Sequence, residues 1–266
     1  MWETFNSKEK TLHIRTNYAS ADFLKKLNHF RKVNAFTDVI LRQENVKIPA
    51  HKIVLSCVSP YFEAMFNGNF KENQENQHEI QIGGVSDSAL VSIIDYFYTG
   101  SVIVTMDNAE ELLEISDILL LEETKKSILR FLKDTMNYSN CLIHKYLGSI
   151  YCDENLVESA NSYFCRNFEA VSQTQQFLQI PTFEELFQLL EDCVITVKSE
   201  EIVRRGIKKW VEFDTTNRQQ YLEKFTSLNI AINSITKMLI AIGYDSQDVE
   251  YLDLNDLKNG WKVLTK

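Results

Sequence analysis

Glycine and proline are scarce in this chain, at 8 and 3 of its 266 residues. Because turns and long loops depend on these two residue types, their scarcity disfavours an all-β architecture and favours a helix-rich protein. A membrane-spanning helix needs about 18 to 20 consecutive apolar residues, and no run approaches that length. The first ten residues, MWETFNSKEK, carry charges where a secretory signal would be apolar. We therefore expect no membrane partner and a cytoplasmic location, with the nucleus as an alternative.

The sequence also lacks the residue spacings that metal sites and common enzymes require. Its five cysteines are scattered without a C-x-x-C pair, which indicates that most of them are buried, reduced thiols and argues against a metal or disulfide framework. No two of its five histidines have ligand spacing, and no Walker, G-x-G-x-x-G, G-x-S-x-G or H-E-x-x-H motif occurs. We expect no catalytic residue, no metal and no cofactor.

The net charge of −9 argues against a nucleic-acid partner, because binding to phosphates needs concentrated lysine and arginine. The composition, 44% hydrophobic and 24% charged, is that of an ordinary globular protein. At this length the chain can form one large domain or two domains of typical size.

Helical and strand patterns alternate in the first third of the chain. One predicted helix carries four apolar side chains on one face, namely Phe23, Leu24, Leu27 and Phe30. Residues 36–52, FTDVILRQENVKIPAHK, alternate between apolar and polar on either side of RQEN, which predicts a β-hairpin. Ser59 followed by Pro60 predicts the start of a helix, and HEIQI, residues 78–82, predicts a strand.

The following residues predict a helix, a strand and a long helix. Residues 88–100 place apolar side chains on one helical face and stop at Gly100. SVIVT, residues 101–105, predicts a further strand. Asp107 and Glu110 have capping-box spacing in front of residues 112–136, which are helical in pattern throughout.

The pattern changes near residue 137 from a mixed α/β module to an all-helical one. Residues 138–242 show one amphipathic helix after another and no convincing strand. Gly206 lies inside one of these helices, where glycine costs about 0.5 to 1 kcal/mol relative to alanine, so we expect this half to be less stable. Residues 243–266 return to alternating runs around an Asn-Gly turn, which predicts a β-hairpin.

Several motifs carry a family resemblance. FTDVIL, IPAHKIVLSCVSPYFEAMF, IIDYFYTGSVIV and NAEELLEISDILLL, in this order, resemble a BTB (POZ) domain over residues 18–136. NCLIHKYLGSIY, SEEIVRRGIKKWVEFD and Arg218 resemble the BACK domain of kelch-like proteins, here incomplete and spanning 138–242. Residues 243–266 are similar to part of one kelch repeat, and residues 1–17 are interpreted as an N-terminal extension. The implied fold is mostly α with a small α/β part: helices around a short sheet, then an all-helical domain.

Kelch-like proteins act as adaptors, in which the BTB domain dimerises and binds the cullin-3 scaffold of a ubiquitin ligase, BACK completes the contact, and a propeller holds the substrate. A propeller needs typically about 4 to 8 blades, so by this resemblance the chain is expected to have no propeller of its own. The resemblance implies a non-enzymatic adaptor or regulator of a cullin-3 RING ubiquitin ligase with an unknown substrate. It implies a homodimer or, alternatively, a heterodimer with other BTB-kelch proteins.

Residues 65–80, MFNGNFKENQENQHEI, contain the motif that bears on cullin binding. Cullin-binding BTB domains have an apolar residue, any residue and a glutamate after the third helix, which Phe70, Lys71 and Glu72 resemble. The alternative is that Phe70 packs under its own helix beside a solvated loop. The resemblance implies a set of cullin-binding residues, Phe70, Glu72, Met65, Leu120 and Leu121.

A second set of residues corresponds to the dimer interface of the family. It comprises the apolar face of the first helix and a charged pair: Phe23, Leu24, Leu27, Phe30, Asp38 and Lys52. The alternatives are that the helix packs on its own subunit and that Asp38 and Lys52 form an ordinary surface ion pair.

The sequence departs from the family in one turn. Leu120 stands where family members usually have glutamine, and Thr124 and Lys125 take apolar positions. Because this turn helps form the cullin-facing surface, the alternative function is a BTB scaffold or transcription-linked dimerisation protein that does not bind cullin. Phe70 and Glu72 discriminate between the two functions, since a scaffold does not need them.

Overall fold

The computed structural model describes residues 2–6, 11–15, 20–67, 79–191, 200–221, 238–242, 249–253 and 262–264. The chain divides into two units, Met1–Asp134 and Thr135–Lys266. The predicted fold class, mostly α with a small α/β part, is confirmed. None of the helices in the described ranges is both long and apolar enough to cross a bilayer.

The strands of the first unit form two separate sheets. Strands β1 (Trp2–Asn6) and β2 (Thr11–Arg15) form an antiparallel pair that the sequence patterns did not predict. The predicted hairpin is present, with β3 (Val39–Arg42) antiparallel to β4 (Lys47–Ala50). Strand β5 (Glu79–Gln81) lies parallel to β3, which confirms the predicted strand near residue 80.

The first unit also contains six described helices, most of which bury apolar side chains. They are α1 (Ser20–Lys32), α2 (Lys52–Val58), α3 (Pro60–Asn67), α4 (Asp87–Thr99), α5 (Ala109–Ile118) and α6 (Glu122–Asp134). The Ser59-Pro60 start of α3 and the end of α4 at Gly100 are both confirmed. Gly100 adopts φ 74°, a left-handed conformation that glycine reaches without steric cost. Helix α2 was not predicted.

Three predictions for residues 101–136 are wrong. Residues 101–105 form no strand, because no strand in the described residues pairs with them, and Ile103 is 80% exposed. The predicted capping box is absent because α5 begins at Ala109, after Asn108, whose side-chain oxygen accepts a hydrogen bond from the Thr105 N–H at 2.7 Å. The long helix is two helices, α5 and α6, interrupted where Leu120 adopts φ 57°.

The second unit is a helical array built around aromatic residues. Its helices are α7 (Cys141–Ile150), α8 (Glu154–Arg166), α9 (Phe168–Val171), α10 (Gln175–Leu178), α11 (Phe183–Glu191), α12 (Glu200–Phe213) and α13 (Thr215–Arg218), followed by a 3-10 turn, Gln219–Tyr221. The rings of Phe164, Phe168, Phe177 and Trp210 are fully buried in its core. Gly206, within α12, allows this helix to approach α9 closely, and the expected lower stability of this half stays a prediction.

The segment that follows the helices forms strands. Strand β6 (Met238–Ile242) lies in a segment predicted to be helical, and this prediction is wrong. It pairs antiparallel with β7 (Val249–Asp253), which satisfies its backbone groups. Strand β8 (Lys262–Leu264) pairs antiparallel with β7, as the predicted hairpin required.

The four cysteines in the described part of the chain are in two states. Cys57, Cys141 and Cys152 are free thiols, as predicted, but only Cys141 is buried, so the expected burial is wrong for Cys57 and Cys152. Cys165 is disulfide-bonded, contrary to the expectation of reduced thiols, because spacing along the chain does not show which cysteines the fold brings together.

Candidate protein-binding surface

The turn between α5 and α6 ends the first helix in an unusual way for leucine. The N–H of Leu120 donates to the carbonyl of Asp117 at 3.1 Å, and the N–H of Leu121 donates to the carbonyl of Ser116 at 2.8 Å. This is the hydrogen-bond pattern of a Schellman motif, whose left-handed position is usually glycine. A leucine in that conformation costs about 1 to 2 kcal/mol. The turn therefore carries a strained residue.

The same turn exposes one leucine between two buried ones. Leu119 is fully buried and Leu121 is 6% exposed, whereas Leu120 is 49% exposed. Leu121 is thus mostly covered by its own unit, where it supports the turn, and its place among the cullin-binding residues stays a prediction. Leu120 alone of the three presents an apolar side chain to solvent.

The departure at Lys125 has a structural role in this turn. Its ammonium group forms an ion pair with Asp117, which joins the first turn of α6 to the last turn of α5. The Lys125 side chain is 17% exposed, so most of its stem is covered. The lysine at this position therefore stabilises the turn in which the Leu120 side chain is exposed.

Ser59 joins α3 to the turn. Its side chain is fully buried, and its Oγ donates a hydrogen bond to the carbonyl oxygen of Leu119 at 2.7 Å. The same Oγ accepts a longer hydrogen bond, 3.4 Å, from the N–H of Phe62 in the first turn of α3. Met65 lies further along α3 and is partly buried. Phe70 and Glu72 lie outside the described residues.

Helix α1 packs on its own subunit along one side and remains exposed on another. Arg31 is 5% exposed, forms an ion pair with Asp95 of α4, and lies 4.7 Å from the centroid of the Tyr98 ring. Leu24, Leu27 and Phe30 are partly buried, while Phe23 is 63% exposed. Other exposed apolar residues, which the sequence did not single out, are Val33, Phe36 and Ile53.

Asp38 and Lys52 are in contact, but the contact joins a side chain to the backbone and is not an ion pair. The Asp38 carboxylate accepts a hydrogen bond from the backbone N–H of Lys52 at 2.7 Å. Lys52 is the first residue of α2, whose initial N–H groups have no partner within the helix. The Lys52 ammonium instead lies 5.4 Å from the Phe66 ring centroid. Asp38, which lies just before β3, therefore caps α2 across the hairpin of β3 and β4.

The second unit has an apolar groove that sequence reasoning missed. Its volume is about 290 Å³, and it lies between α7 and α11. The apolar lining includes Leu142, Tyr146, Ile180 and Leu189. Along α7, Tyr146 is 63% exposed, and Ile143 and Ile150 are also exposed. Their spacing of three and four residues, read as an exposed helix face, is the signal that could have found this surface.

A metal centre finds no support in the described ranges, since they contain no group of three or more histidine, cysteine or acidic side chains that could hold an ion. The described residues instead expose apolar side chains on a turn and on helices, and exposed apolar patches of this kind are typical of protein interaction sites.

Comparison with known families matches both units. The model of the BTB/POZ domain matches residues 27–136, and the model described as BTB And C-terminal Kelch, or BACK, matches residues 141–235. Human Kelch-like protein 28 is 34% identical over 229 residues, covering 86% of this chain. This chain belongs to the BTB-BACK proteins of the kelch-like family. The domain boundaries expected from sequence, and the kelch-repeat fragment at 243–266, stay predictions.

Other kelch-like relatives match in the same way. Human Kelch-like protein 2 is 32% identical over 75% of this chain, and human Kelch-like protein 3 is 29% identical over 81% of it. The chain spans 38% of the length of Kelch-like protein 28 and 33% of that of Kelch-like protein 2. The function of the full-length relatives is therefore only proposed for this chain.

Two solved structures also match. The BTB domain of zebrafish PATZ1 is 29% identical, with 46% of this chain and 98% of that chain covered and a TM-score of 0.41. The BTB domain of human Gigaxonin is 26% identical, with the same coverage and a TM-score of 0.39. These TM-scores are below 0.5, so the assignment to the family depends on the sequence comparisons alone.

Proposed function

We propose that this chain is a non-enzymatic interaction protein that dimerises through its BTB unit and binds cullin-3 as an adaptor or regulator of a ubiquitin ligase. Membership of the BTB-BACK kelch-like family supports this proposal. The working location is the cytoplasm, with the nucleus as the alternative. The dimer is a homodimer or a heterodimer with another BTB-kelch protein, and the substrate is unknown.

The exposure of the Leu120 side chain is the main observation that supports the proposed contact with cullin-3. A leucine that is 49% exposed and held in a left-handed conformation is unfavourable for the isolated chain on both counts. Contact with a partner offsets the cost of exposure, because it removes the apolar side chain from water. Leu120 and Met65 are thus proposed contacts, together with Phe70 and Glu72 of the family motif. Leu121 contributes by supporting the turn.

The dimer contact is proposed for the apolar surface around α1. Phe23 is its most exposed predicted member, and Phe36, next to Phe30 with ring centroids 5.1 Å apart, extends the exposed area. A two-fold interface buries the same patch twice, so even a small patch contributes twice to the dimer. Leu24, Leu27 and Phe30 stay in the proposal as partly buried members. Asp38 and Lys52 stay in it as surface residues whose first role is the cap of α2.

The apolar groove between α7 and α11 is a second candidate surface, within the BACK unit. Tyr146 presents a large, exposed aromatic side chain there, of the kind that contributes strongly to protein interfaces. We propose it as the BACK contribution to partner binding.

A calorimetric titration of the chain with the N-terminal fragment of cullin-3 tests the proposal. Phe70→Ala should weaken binding about thirtyfold, equivalent to roughly 2 kcal/mol, since buried aromatic anchors dominate such interfaces. Phe213→Ala is a control, because Phe213 is 50% exposed at the end of α12 and does not line the groove between α7 and α11. The control should bind like wild type. Absence of heat with wild type at tens of micromolar would favour the scaffold alternative.

A further inference from the structure

The buried hydroxyl of Ser59 bridges two helix ends that approach each other in the first unit. Helix α3 begins directly after Ser59, and helix α5 ends at Ile118, with Leu119 as its C-cap. The first N–H groups and the last C=O groups of a helix have no partners within it. One Oγ atom supplies a partner to each end, by accepting from Phe62 and donating to Leu119.

The direction of these hydrogen bonds is fixed by chemistry. A carbonyl oxygen only accepts, so the single hydroxyl proton of Ser59 points to Leu119. A backbone N–H only donates, so a lone pair of the same oxygen faces Phe62. Because Ser59 is fully buried, water cannot replace either contact without rearrangement.

The bridge acts at the residue before the exposed leucine. Leu119 and Leu120 share one peptide unit, and its carbonyl oxygen is the atom that Ser59 holds. The orientation of that peptide plane sets the φ of Leu120, which is 57° and strained for leucine. A strained conformation persists only when its surroundings hold it.

We propose that Ser59 is a positioning residue for partner binding: it holds the Leu119 carbonyl so that Leu120 stays in its left-handed, exposed conformation next to α3. This inference rests on the proposed function for its effect on affinity. Its effect on the turn is independent of any partner. Ser59 itself does not touch the partner, since it has no exposed surface.

Ser116 provides a matched control for the test. It is also fully buried and close to the turn, but its Oγ donates to the carbonyl of Leu112 within the same helix, at 2.6 Å. Ser116→Ala therefore removes a buried hydroxyl without breaking the link between α3 and the turn. Ser59→Thr keeps the hydroxyl and serves as the conservative variant.

The experiment measures amide hydrogen exchange at Leu120 and Leu121 by NMR, and affinity for the cullin-3 fragment by calorimetry. Ser59→Ala should speed exchange of these two amides about tenfold and weaken binding about tenfold, whereas Ser116→Ala should change each less than threefold. Ser59→Thr should restore both values to within threefold of wild type. Equal effects of the two alanine variants, or a native-like Ser59→Thr that fails to restore them, would overturn the inference.

The experiment distinguishes failure of the proposed cullin-3 binding from failure of the positioning role of Ser59. If wild type does not bind the cullin-3 fragment, the proposed function fails, and the exchange rates alone decide whether Ser59 holds the turn. If wild type binds and Ser59→Ala binds equally well with fast exchange at Leu120, the positioning role is wrong while the proposed function stands. If Ser59→Ala does not fold, the comparison of Ser59→Thr with wild type decides: altered exchange and affinity in a folded protein that keeps the hydroxyl overturn the role.

Discussion

The guanidinium carbon of Arg218 lies 4.2 Å from the centroid of the Trp210 ring, inside the second unit. Arg218 is 6% exposed and donates hydrogen bonds to the carbonyl oxygens of Leu178, Ile180 and Trp210, at 2.7 to 3.0 Å. Trp210 in turn donates its ring N–H to the Ile180 carbonyl at 2.9 Å. One charged side chain of α13 is thus bonded to α12, to the end of α10 and to the segment that follows α10. Arginine suits this position because its planar fork offers five donors.

Replacing Arg218 by lysine should destabilise the second unit by on the order of 2 kcal/mol. Lysine keeps the charge but cannot reach three carbonyl groups from one plane, so buried acceptors lose their donors. Arg205→Lys, on the exposed face of α12, is the control and should change the stability by less than about 0.5 kcal/mol. Urea unfolding followed by circular dichroism gives both values. Equal stabilities would show that the hydrogen bonds of Arg218 contribute little.

Alanine at position 206 should destabilise the protein, although helix propensity favours alanine over glycine by about 1 kcal/mol. A Cβ on Gly206 would lie 3.0 Å from the Cβ of Ser172 and 3.1 Å from Cζ of Phe168. Phe168 is fully buried and has little room to move, and overpacking of this kind costs about 1 to 3 kcal/mol. The midpoint of thermal unfolding measures the difference. Phe168→Leu removes the ring, so the double variant should lose less than the sum of the single changes.

The buried thiol of Cys141 should resist alkylation while exposed thiols react. Burial raises the pKa of Cys141 to about 11, against an ordinary thiol value of 9.0. The thiolate is the reactive form, so at pH 8 Cys57 and Cys152, which are exposed, should be labelled first. The unfolded chain ionises at the lower pKa, so this thiol favours the folded state below pH 9 and loses that contribution as the pH rises towards 11. Peptide mapping after timed iodoacetamide labelling checks the order; rapid labelling of Cys141 would contradict it.

The sequence predicted the elements whose pattern is local. The hairpin of β3 and β4, the start of α3 after Ser59 and the stop of α4 at Gly100 each depend on residues within a few positions of one another. Predictions from the sequence were wrong where the secondary structure of a segment depends on residues that are distant along the chain. Residues 101–105 have strand composition but no partner strand among the described residues, so they remain irregular.

The candidate surface was predicted only in part, because some of its features also depend on residues that are distant along the chain. The resemblance pointed to Leu120, but apolar periodicity carried a helix straight through it, because nothing in the pattern shows that leucine adopts a positive φ. The bond between Ser59 and Leu119 joins residues 60 positions apart, and no local rule predicts it. The packing role of Gly206 depends likewise on Phe168 and Ser172, which lie on another helix and just beyond its end.

The oligomeric state should be a dimer at micromolar concentration, and Phe23→Glu should shift it towards monomer. Phe23 is 63% exposed on α1, and a buried, unpaired carboxylate at a two-fold interface is costly on both sides. Lys26→Glu is the control for charge, because Lys26 is exposed on the same helix outside the apolar face. Multi-angle light scattering gives the mass directly. A monomeric wild type would remove the dimer from the proposal.

Replacing Leu120 by glycine should raise stability and lower affinity for the cullin-3 fragment. Glycine relieves the left-handed strain of about 1 to 2 kcal/mol but loses about 0.5 to 1 kcal/mol to chain entropy, which leaves a gain of roughly 0.5 kcal/mol. Loss of the exposed side chain should weaken binding about tenfold, or about 1.4 kcal/mol. Leu120→Ala is the matched control: it also removes the contact but keeps the strain, so affinity should fall without a gain in stability. Thermal unfolding and calorimetric titration of the three proteins separate the two effects. A glycine variant that loses stability would mean that Leu120 supports the fold, and that its exposed side chain is not retained for binding.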